Sequence, residues 1–582
     1  MNKYIGKRFL QLIPVLLGIT FLSFAMMRAA GSDAIIELYG DKGAVAQEII
    51  DAKRAELGLD QPFLTQYGAW LRGLLTGNMG VSYVSGKDVF GTFVSKLPAT
   101  LLLTALSIGA TVIISIPLGI WAAVKHDKFT DYFLRFFSFI GNSLPNFFVA
   151  LLLMQLFSIK WKLLPIISGG TTVQGAILPT LTLAIAMSAK YMRQVRAAVL
   201  EELNKDYVLG AAARGVRRRV ILWKSVLKSA MLTILTLLAL SIGSLLGGTA
   251  IIESIFMWDG VGKLAVDAIT MRDYPPHSGL CGLDGDYLRD GESSYGHSLP
   301  RPRPEDTTGG AGGMKTVTNP IGAVRRNTVK ARLILFSVLA IALIVCSFFS
   351  EYLTPYDPYL QNLDIAKQAP TKAHPLGTDR YGRDMLSRVI AGSRASIFST
   401  LLLVAVITTL GTAVGVTCGW VGGLTDTVLM RVSDVFLAFP GLVFALAVAG
   451  VLGGGLQNAI IALAAISWPK YARIARSQTL AQKETQWMKA VRLSGSGTGK
   501  IILKHILPNI IGPVLVTAML DIGTMMMELA ALSFLGLGAK PPIPEWGSMM
   551  SDSQKSHDHL PVDHLQPRHA IFISVMIFNL LG

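Results

Sequence analysis

Tyr207-Val208-Leu209-Gly210-Ala211-Ala212-Ala213-Arg214-Gly215 and Trp487-Met488-Lys489-Ala490-Val491-Arg492-Leu493-Ser494-Gly495 read as two short helices of one design. Each is rich in small residues and ends at a glycine, which lets the chain turn left-handed. Each then gives way to a basic run, Arg217-Arg218-Arg219 or Lys500 onward, leading into an apolar span. One copy alone is an ordinary basic loop. Two copies, one in each half of an otherwise membrane-like chain, form an internal repeat with two equivalent docking surfaces for a soluble partner.

The 582 residues are 51% hydrophobic and only 15% charged, with a mean hydropathy of +0.50. That is too apolar for a soluble enzyme. Apolar runs of roughly twenty residues read as membrane helices. The net charge of +16 fits Lys and Arg gathered in cytoplasmic loops. No soluble basic domain with interleaved aromatics is present, so nucleic acid is excluded as a partner. Cys281, Cys346 and Cys418 show no paired spacing, so neither a disulfide framework nor a zinc site is indicated. The first apolar run is long and lacks a small-residue cleavage site, and reads as a retained span.

Spans fall near 9–28, 98–123, 134–158, 174–193 and 230–257, then near 333–351, 396–422, 432–453, 455–468, 506–535 and 570–582. Lys3, Lys7 and Arg8 place the N-terminus in the cytoplasm. The basic segments 193–228 and 470–505 then both face inward, at the same place in the count, as parallel repeats require. The count fails at the junction. Residue 275 is left outside, whereas the basic run from Lys315 to Arg332 belongs inside. The polar stretch 276–313 cannot cross a bilayer, because its polar groups would lose water without replacement.

An out-of-frame junction accounts for this. One permitted back-translation of Gly279–Arg289, read one base later, encodes an apolar segment of the kind the topology lacks. Ser556–His569 behaves in the same way before an ordinary span resumes at Ala570. His557, His559, His564 and His569, with Asp558 and Asp563, offer donors that suit nickel. However, six of the nine histidines, His277 and His297 among them, lie in these two stretches. A frame error scatters histidines in this way, so no metal site is assigned.

Longer motifs carry a resemblance. Leu57-Gly58-Leu59-Asp60-Gln61-Pro62, Gly77-Asn78-Met79-Gly80, Ser143-Leu144-Pro145-Asn146-Phe147 and Glu253–Pro275 resemble the B-type membrane subunit of binding-protein-dependent ABC importers in the dipeptide/oligopeptide/nickel group. Tyr356-Asp357-Pro358, His374-Pro375-Leu376-Gly377-Thr378-Asp379, Gly382-Arg383-Asp384, Phe439-Pro440, His505-Ile506-Leu507-Pro508-Asn509 and Leu532-Ser533-Phe534-Leu535-Gly536-Leu537-Gly538 resemble the C-type subunit. The family usually carries these as separate chains. The reading is therefore a B-type domain at 1–275, an out-of-frame junction at 276–313, and a C-type domain at 314–582 starting at Met314, with 556–569 out of frame and the C-terminus truncated; a true fusion of the two subunits is the alternative.

The resemblance implies an all-α polytopic protein of the bacterial inner membrane, with two tandem permease domains of about five to six spans each. Its cytoplasmic loop motif maps onto Asp206, Gly210, Ala211 and Gly215 in the first half. In the second half it maps onto Lys489, Ala490, Val491, Gly495, Leu507 and Pro508. The first half has Lys228 where a proline is expected. Implied partners are two ABC ATPase subunits at these helices, an extracytoplasmic solute-binding protein on the outer loops near 31–95 and 352–395, and the lipid bilayer.

Gly495-Ser496-Gly497-Thr498-Gly499-Lys500 misses the phosphate-loop pattern, with Ser494 at the first glycine position and Ile501 after the lysine. No catalytic residue and no cofactor are therefore expected in this chain, and ATP belongs to the partner subunits. Ionisable and amide groups inside spans mark pathway candidates: Asn142, Asn146, Glu253, Asp521, Met525 and Glu528. The solute implied is a peptide, nickel or a metal chelate. Alternatives are a secondary transporter without an ATPase, and a non-functional product of a frameshifted operon.

Overall fold

The computed structural model describes residues 2–29, 60–82, 84–168, 172–271, 320–555 and 566–581. The junction 276–313 lies outside the described residues, as do 31–59, Arg272–Pro275 and most of 556–569. Among the described residues the regular structure is helical, apart from two isolated bridges, Val81 to Asp88 and Thr378 to Asp384.

The first half comprises α1 (Asn2–Ala29), α2 (Phe63–Leu75), α3 (Val89–Val124), α4 (Phe129–Ser143), α5 (Asn146–Leu153), α6 (Val173–Leu203), α7 (Asp206–Ala213), α8 (Leu227–Ile255) and α9 (Val261–Thr270). The second comprises α10 (Pro320–Phe348), α11 (Met385–Val421), α12 (Gly423–Leu437), α13 (Gly441–Val451), α14 (Leu456–Lys483), α15 (Gln486–Leu493), α16 (Leu507–Phe534), α17 (Trp546–Lys555) and α18 (Gln566–Leu581). Five described helices are long and apolar enough to cross a membrane, or seven if each of two bent pairs counts as one span.

The repeat holds at the level of single contacts. α3 starts at Asp88, whose carboxylate accepts from Gly91 N at 2.6 Å, and α11 starts at Asp384, which accepts from Ser387 N at 2.7 Å. Such caps satisfy donors that the first helical turn leaves free. Further along, Gly119 of α3 lies against Val195 and Met192 of α6, and Gly415 of α11 against Ala475 and Ala472 of α14. A Cβ at Gly415 would stand 2.3 Å from the Ala472 carbonyl oxygen. Gly411 and Gly419 continue the same face. Small residues at this spacing let two helix backbones approach closely where lipid offers no hydrophobic driving force.

The two halves share one core. It runs through Leu103, Ala150, Ile252 and Phe256 of the first half into Leu403, Leu446, Ile522 and Phe578 of the second. Phe147 stacks on Phe534 at 5.3 Å between ring centres, a contact of about 0.5–1.5 kcal/mol beyond its area. α1 crosses onto the other half, with Val15 and Ile19 packed against Phe439, Phe444 and Ile466.

Two spans drawn as single helices from the sequence are broken. The 134–158 segment turns by 99° between α4 and α5, and 432–453 by 89° between α12 and α13. Pro145 and Pro440 sit at the breaks. A proline has no N–H to continue the helix and pushes the preceding residue out of the helical region, as Leu144 shows at φ −92° and ψ 125°. The apolar stretch 455–468 opens a longer helix, since α14 continues to Lys483.

Candidate functional site

The two breaks meet at the boundary between the halves. They line a cavity of about 420 Å³ with Gly141, Asn142, Leu144, Pro145, Asn146 and Phe147 from one half and Pro440, Gly441 and Leu442 from the other. α6 adds Ala186, Met187, Lys190 and Tyr191, and α16 adds Thr524, Met527, Glu528 and Ala531. Irregular backbone at membrane depth is tolerated where it lines such a space. Asn146, Lys190 and Thr524 are exposed into it, while Asn142 and Glu528 are half-buried.

The intramembrane candidates read from the sequence therefore separate. Asn142 and Asn146 line one space with Glu528, which lies in the other half of the chain. Asp521 does not. Its carboxylate is held by Lys470 Nζ at 2.7 and 2.9 Å and accepts from Tyr471 Oη at 2.9 Å. Met525 is buried in the common core.

Glu253 belongs to a structural lock. Its carboxylate accepts from Thr100 Oγ1 at 2.8 Å and from Lys263 N at 2.9 Å, while Val261 N donates to Thr100 Oγ1 at 2.8 Å. The second half repeats this circuit. Ser396 Oγ donates to Glu545 at 3.3 Å, Trp546 N donates to Ser396 Oγ at 3.1 Å, and Gly547 N and Ser548 N each donate to Glu545 at 2.9 Å. Each buried carboxylate thus ties the start of a short helix, α9 or α17, to the long helix α3 or α11.

α6 leads from the cavity to the short helix α7, and its counterpart α14 leads to α15. Gly215 follows α7 at φ +76° and Gly495 follows α15 at φ +78°. Each short helix is rooted by apolar residues on its inner face, Val208 and Ala211 or Met488 and Val491. Val208 packs with Val226 and Ile221, and fully buried Met488 packs with Ala475, Ile501 and Ile506. Arg492 lies 4.6 Å over the Trp420 ring, which ties α15 to α11, and Lys483 at the end of α14 donates to the Trp420 carbonyl at 2.7 Å. Asp206, Gly210, Lys489 and Ala490 are exposed, and Ala211 and Val491 are half-buried. The outward surface is apolar as well as basic: Leu209 is 65% exposed, Trp223 61%, Leu493 89% and Leu503 67%.

Beyond each glycine the chain forms a π-helical turn, Ile221–Val226 or Ile502–Ile506, before the next long helix. Pro508 does not cause it, because the first half makes the same turn with Lys228 at that position. No local pattern marks these turns, or Val208 and Met488 as anchors. It also hid a paired clamp, Arg196 with Asp131 and Arg476 with Asp426, that ties α6 to α4 and α14 to α12.

The pattern is duplicated from the helix caps to the outward-facing glycines, and a family comparison agrees with it. The profile of binding-protein-dependent transport system inner membrane components matches residues 115–356 and again 411–582. The chain belongs to this family. A profile for the N-terminal part of such membrane components matches residues 1–104.

The permease is 39% identical over 257 residues to the nickel transport system permease protein NikC of Escherichia coli, spanning 44% of this chain and 91% of that relative. It is 38% identical over 247 residues to the glutathione transport system permease protein GsiD of Pectobacterium atrosepticum, spanning 42% and 82%. Against the dipeptide transport system permease protein DppC of Alkalihalophilus pseudofirmus it is 34% identical over 287 residues, spanning 49% and 94%. Each relative thus covers less than half of this chain, while the family profile matches it twice. The protein is a polytopic inner-membrane permease component of an ABC importer, working with ATPases and a binding protein.

Proposed function

We propose that this single chain supplies both halves of the translocation path, with one ATPase subunit seated on α7 and a second on α15. The observation that carries this reading is the duplicated short helix. Each copy packs inward through apolar residues, half-buried Val208 and Ala211 or buried Met488 with Val491, and turns exposed leucine or tryptophan outward. Each also sits at the end of a long helix, α6 or α14, and α6 lines the cavity. Closure of two ATPases draws these arms together, and the bundles answer by moving between two packings. The N-terminus and both short helices face the cytoplasm in this scheme. ATP is bound and hydrolysed on the partners, and the binding protein docks on the opposite face near 352–395.

Peptides or metal chelates are the proposed solutes, in keeping with the nickel, glutathione and dipeptide systems named for the relatives. Purification of the full chain from membranes with its neighbouring gene products tests the reading. Two ATPase subunits per chain and ATP-driven uptake of labelled dialanine or nickel–histidine are expected. A chain isolated without ATPase, taking up solute on an ion gradient, sinks it.

The out-of-frame reading of 276–313 and 556–569 is likewise proposed. Arg568 supports it: the side chain is buried, its Nε has no partner among the described residues, and it faces the Phe148 ring at 5.9 Å. A native apolar span rarely accepts such a group. The nucleotide sequence decides the matter, since codons that forbid the shifted apolar readings end the proposal.

A further inference from the structure

α6 and α14 carry the same ladder of cations, Lys190, Arg193 and Arg196 against Lys470, Arg473 and Arg476. On α14 every rung is neutralised. Lys470 binds both oxygens of Asp521, Arg473 Nη2 lies 2.9 Å from Asp434 Oδ1, and Arg476 grips Asp426. On α6 only Arg196 keeps its acid, Asp131. In the register that pairs Asp131 with Asp426, Phe139 stands opposite Asp434. In the register that pairs Leu227 with Leu507, Ser241 stands opposite Asp521. The first half thus lacks two of the acids that the second half carries. Among the described residues neither Lys190 nor Arg193 has a carboxylate partner.

A cation at membrane depth without a partner is costly unless it faces a cavity or a ligand. Lys190 lines the cavity between the halves, and Glu528 lines it from the other half. At about 420 Å³ the space lies within the roughly 300–1,000 Å³ of small-molecule sites.

We propose that Lys190, with Arg193 one turn nearer α7, receives a carboxylate of the transported solute, while Glu528 takes its cationic end. This rests on reading the cavity as the translocation path. It narrows the solute to a zwitterion or a carboxylate-liganded metal. A bare divalent cation meets an uncompensated positive charge there and is disfavoured.

The test has two arms. In the full chain with Cys281, Cys346 and Cys418 replaced by serine, a cysteine is placed by Asn146→Cys and labelled with anionic and cationic methanethiosulfonates. The anionic-to-cationic rate ratio falls about fivefold in Lys190→Met and is kept in Lys190→Arg. An unchanged ratio overturns the proposal. Lys190→Gln serves as a second neutral variant if the Met variant does not reach the membrane.

In vesicles carrying the ATPases and binding protein, Lys190→Met lowers dialanine uptake about tenfold while binding-protein-stimulated ATP hydrolysis persists. Full uptake by that variant overturns the proposal. So does ATP hydrolysis falling in step with uptake, which marks a role in coupling. Should the unmodified chain take up neither dialanine nor nickel–histidine, the solute reading fails, and the labelling ratio by itself still decides whether Lys190 selects anions.

Discussion

Arg196 holds Asp131 side-on, with Nε and Nη2 each 2.6 Å from a different carboxylate oxygen. Arg476 repeats the grip on Asp426 in the other half. Two parallel bonds fix the angle as well as the distance between the partners. The pairs hold α4 against α6 and α12 against α14, between the cavity and the short outward-facing helices. Asp131 →Ala leaves a largely buried guanidinium unpaired, which costs about 3–5 kcal/mol. A lower unfolding temperature in detergent is expected. Asp426→Ala costs less, because Arg476 and Asp426 are 34% and 19% exposed and water takes over part of the lost contact. Equal losses at the two sites count against this account.

Gly215 and Gly495 test the short helices directly. Their φ values of +76° and +78° cost a branched residue roughly 1–2 kcal/mol. Among the described residues nothing stands within 4 Å of a Cβ at either position, so the backbone is what resists substitution. Gly215→Val and Gly495→Val are therefore expected to leave the transmembrane bundle folded and to reduce co-purification of the ATPase subunits. Retained co-purification with full uptake dissociates these helices from coupling.

Gly415→Val examines the packing of α11 on α14. Any Cβ there meets the Ala472 carbonyl oxygen at 2.3 Å and the Ala475 Cβ at 2.8 Å. Overpacking of this kind costs about 1–3 kcal/mol. Gly512→Ala is the control, because its Cβ enters open space. The expected result is a clear drop in thermal stability for the first variant and little change for the second.

Glu545 introduces a pH dependence. Burial pushes its carboxyl above the ordinary glutamate value, against the opposing pull of the Gly547 and Ser548 N–H groups and the Ser533 and Ser396 hydroxyls. A carboxyl raised in the folded state contributes most below its unfolded value near 4.5. That contribution fades as pH rises through the higher folded value. Glu545→Gln removes this slope, so its melting temperature gains on the unmodified chain as pH rises from acid to neutral. A constant difference across that range contradicts the assignment.

Much of this protein was open to reading in one dimension. Apolar runs of membrane length, basic flanks and glycine-ended small-residue helices are local, because hydropathy and backbone permissiveness are properties of neighbouring residues. They gave the helical class, the duplication and the two short helices at Asp206–Ala213 and Gln486–Leu493. Pro145 and Pro440 were visible too, but only the folded chain shows that each bends its span by about a right angle. A proline inside an apolar run fits either a kink or a break, and packing against the partner half selects between them.

Tertiary structure alone decided which polar groups face the cavity. Asp521, Glu253 and Glu528 look alike as acids inside apolar segments. One is held by Lys470, one by Thr100 and the start of α9, and one lines the cavity. Pairing of charges distant in the chain depends on helix rotation and register, which no local pattern records. The composition fixed that charges had to be satisfied within the membrane, and three-dimensional proximity settled which of them were.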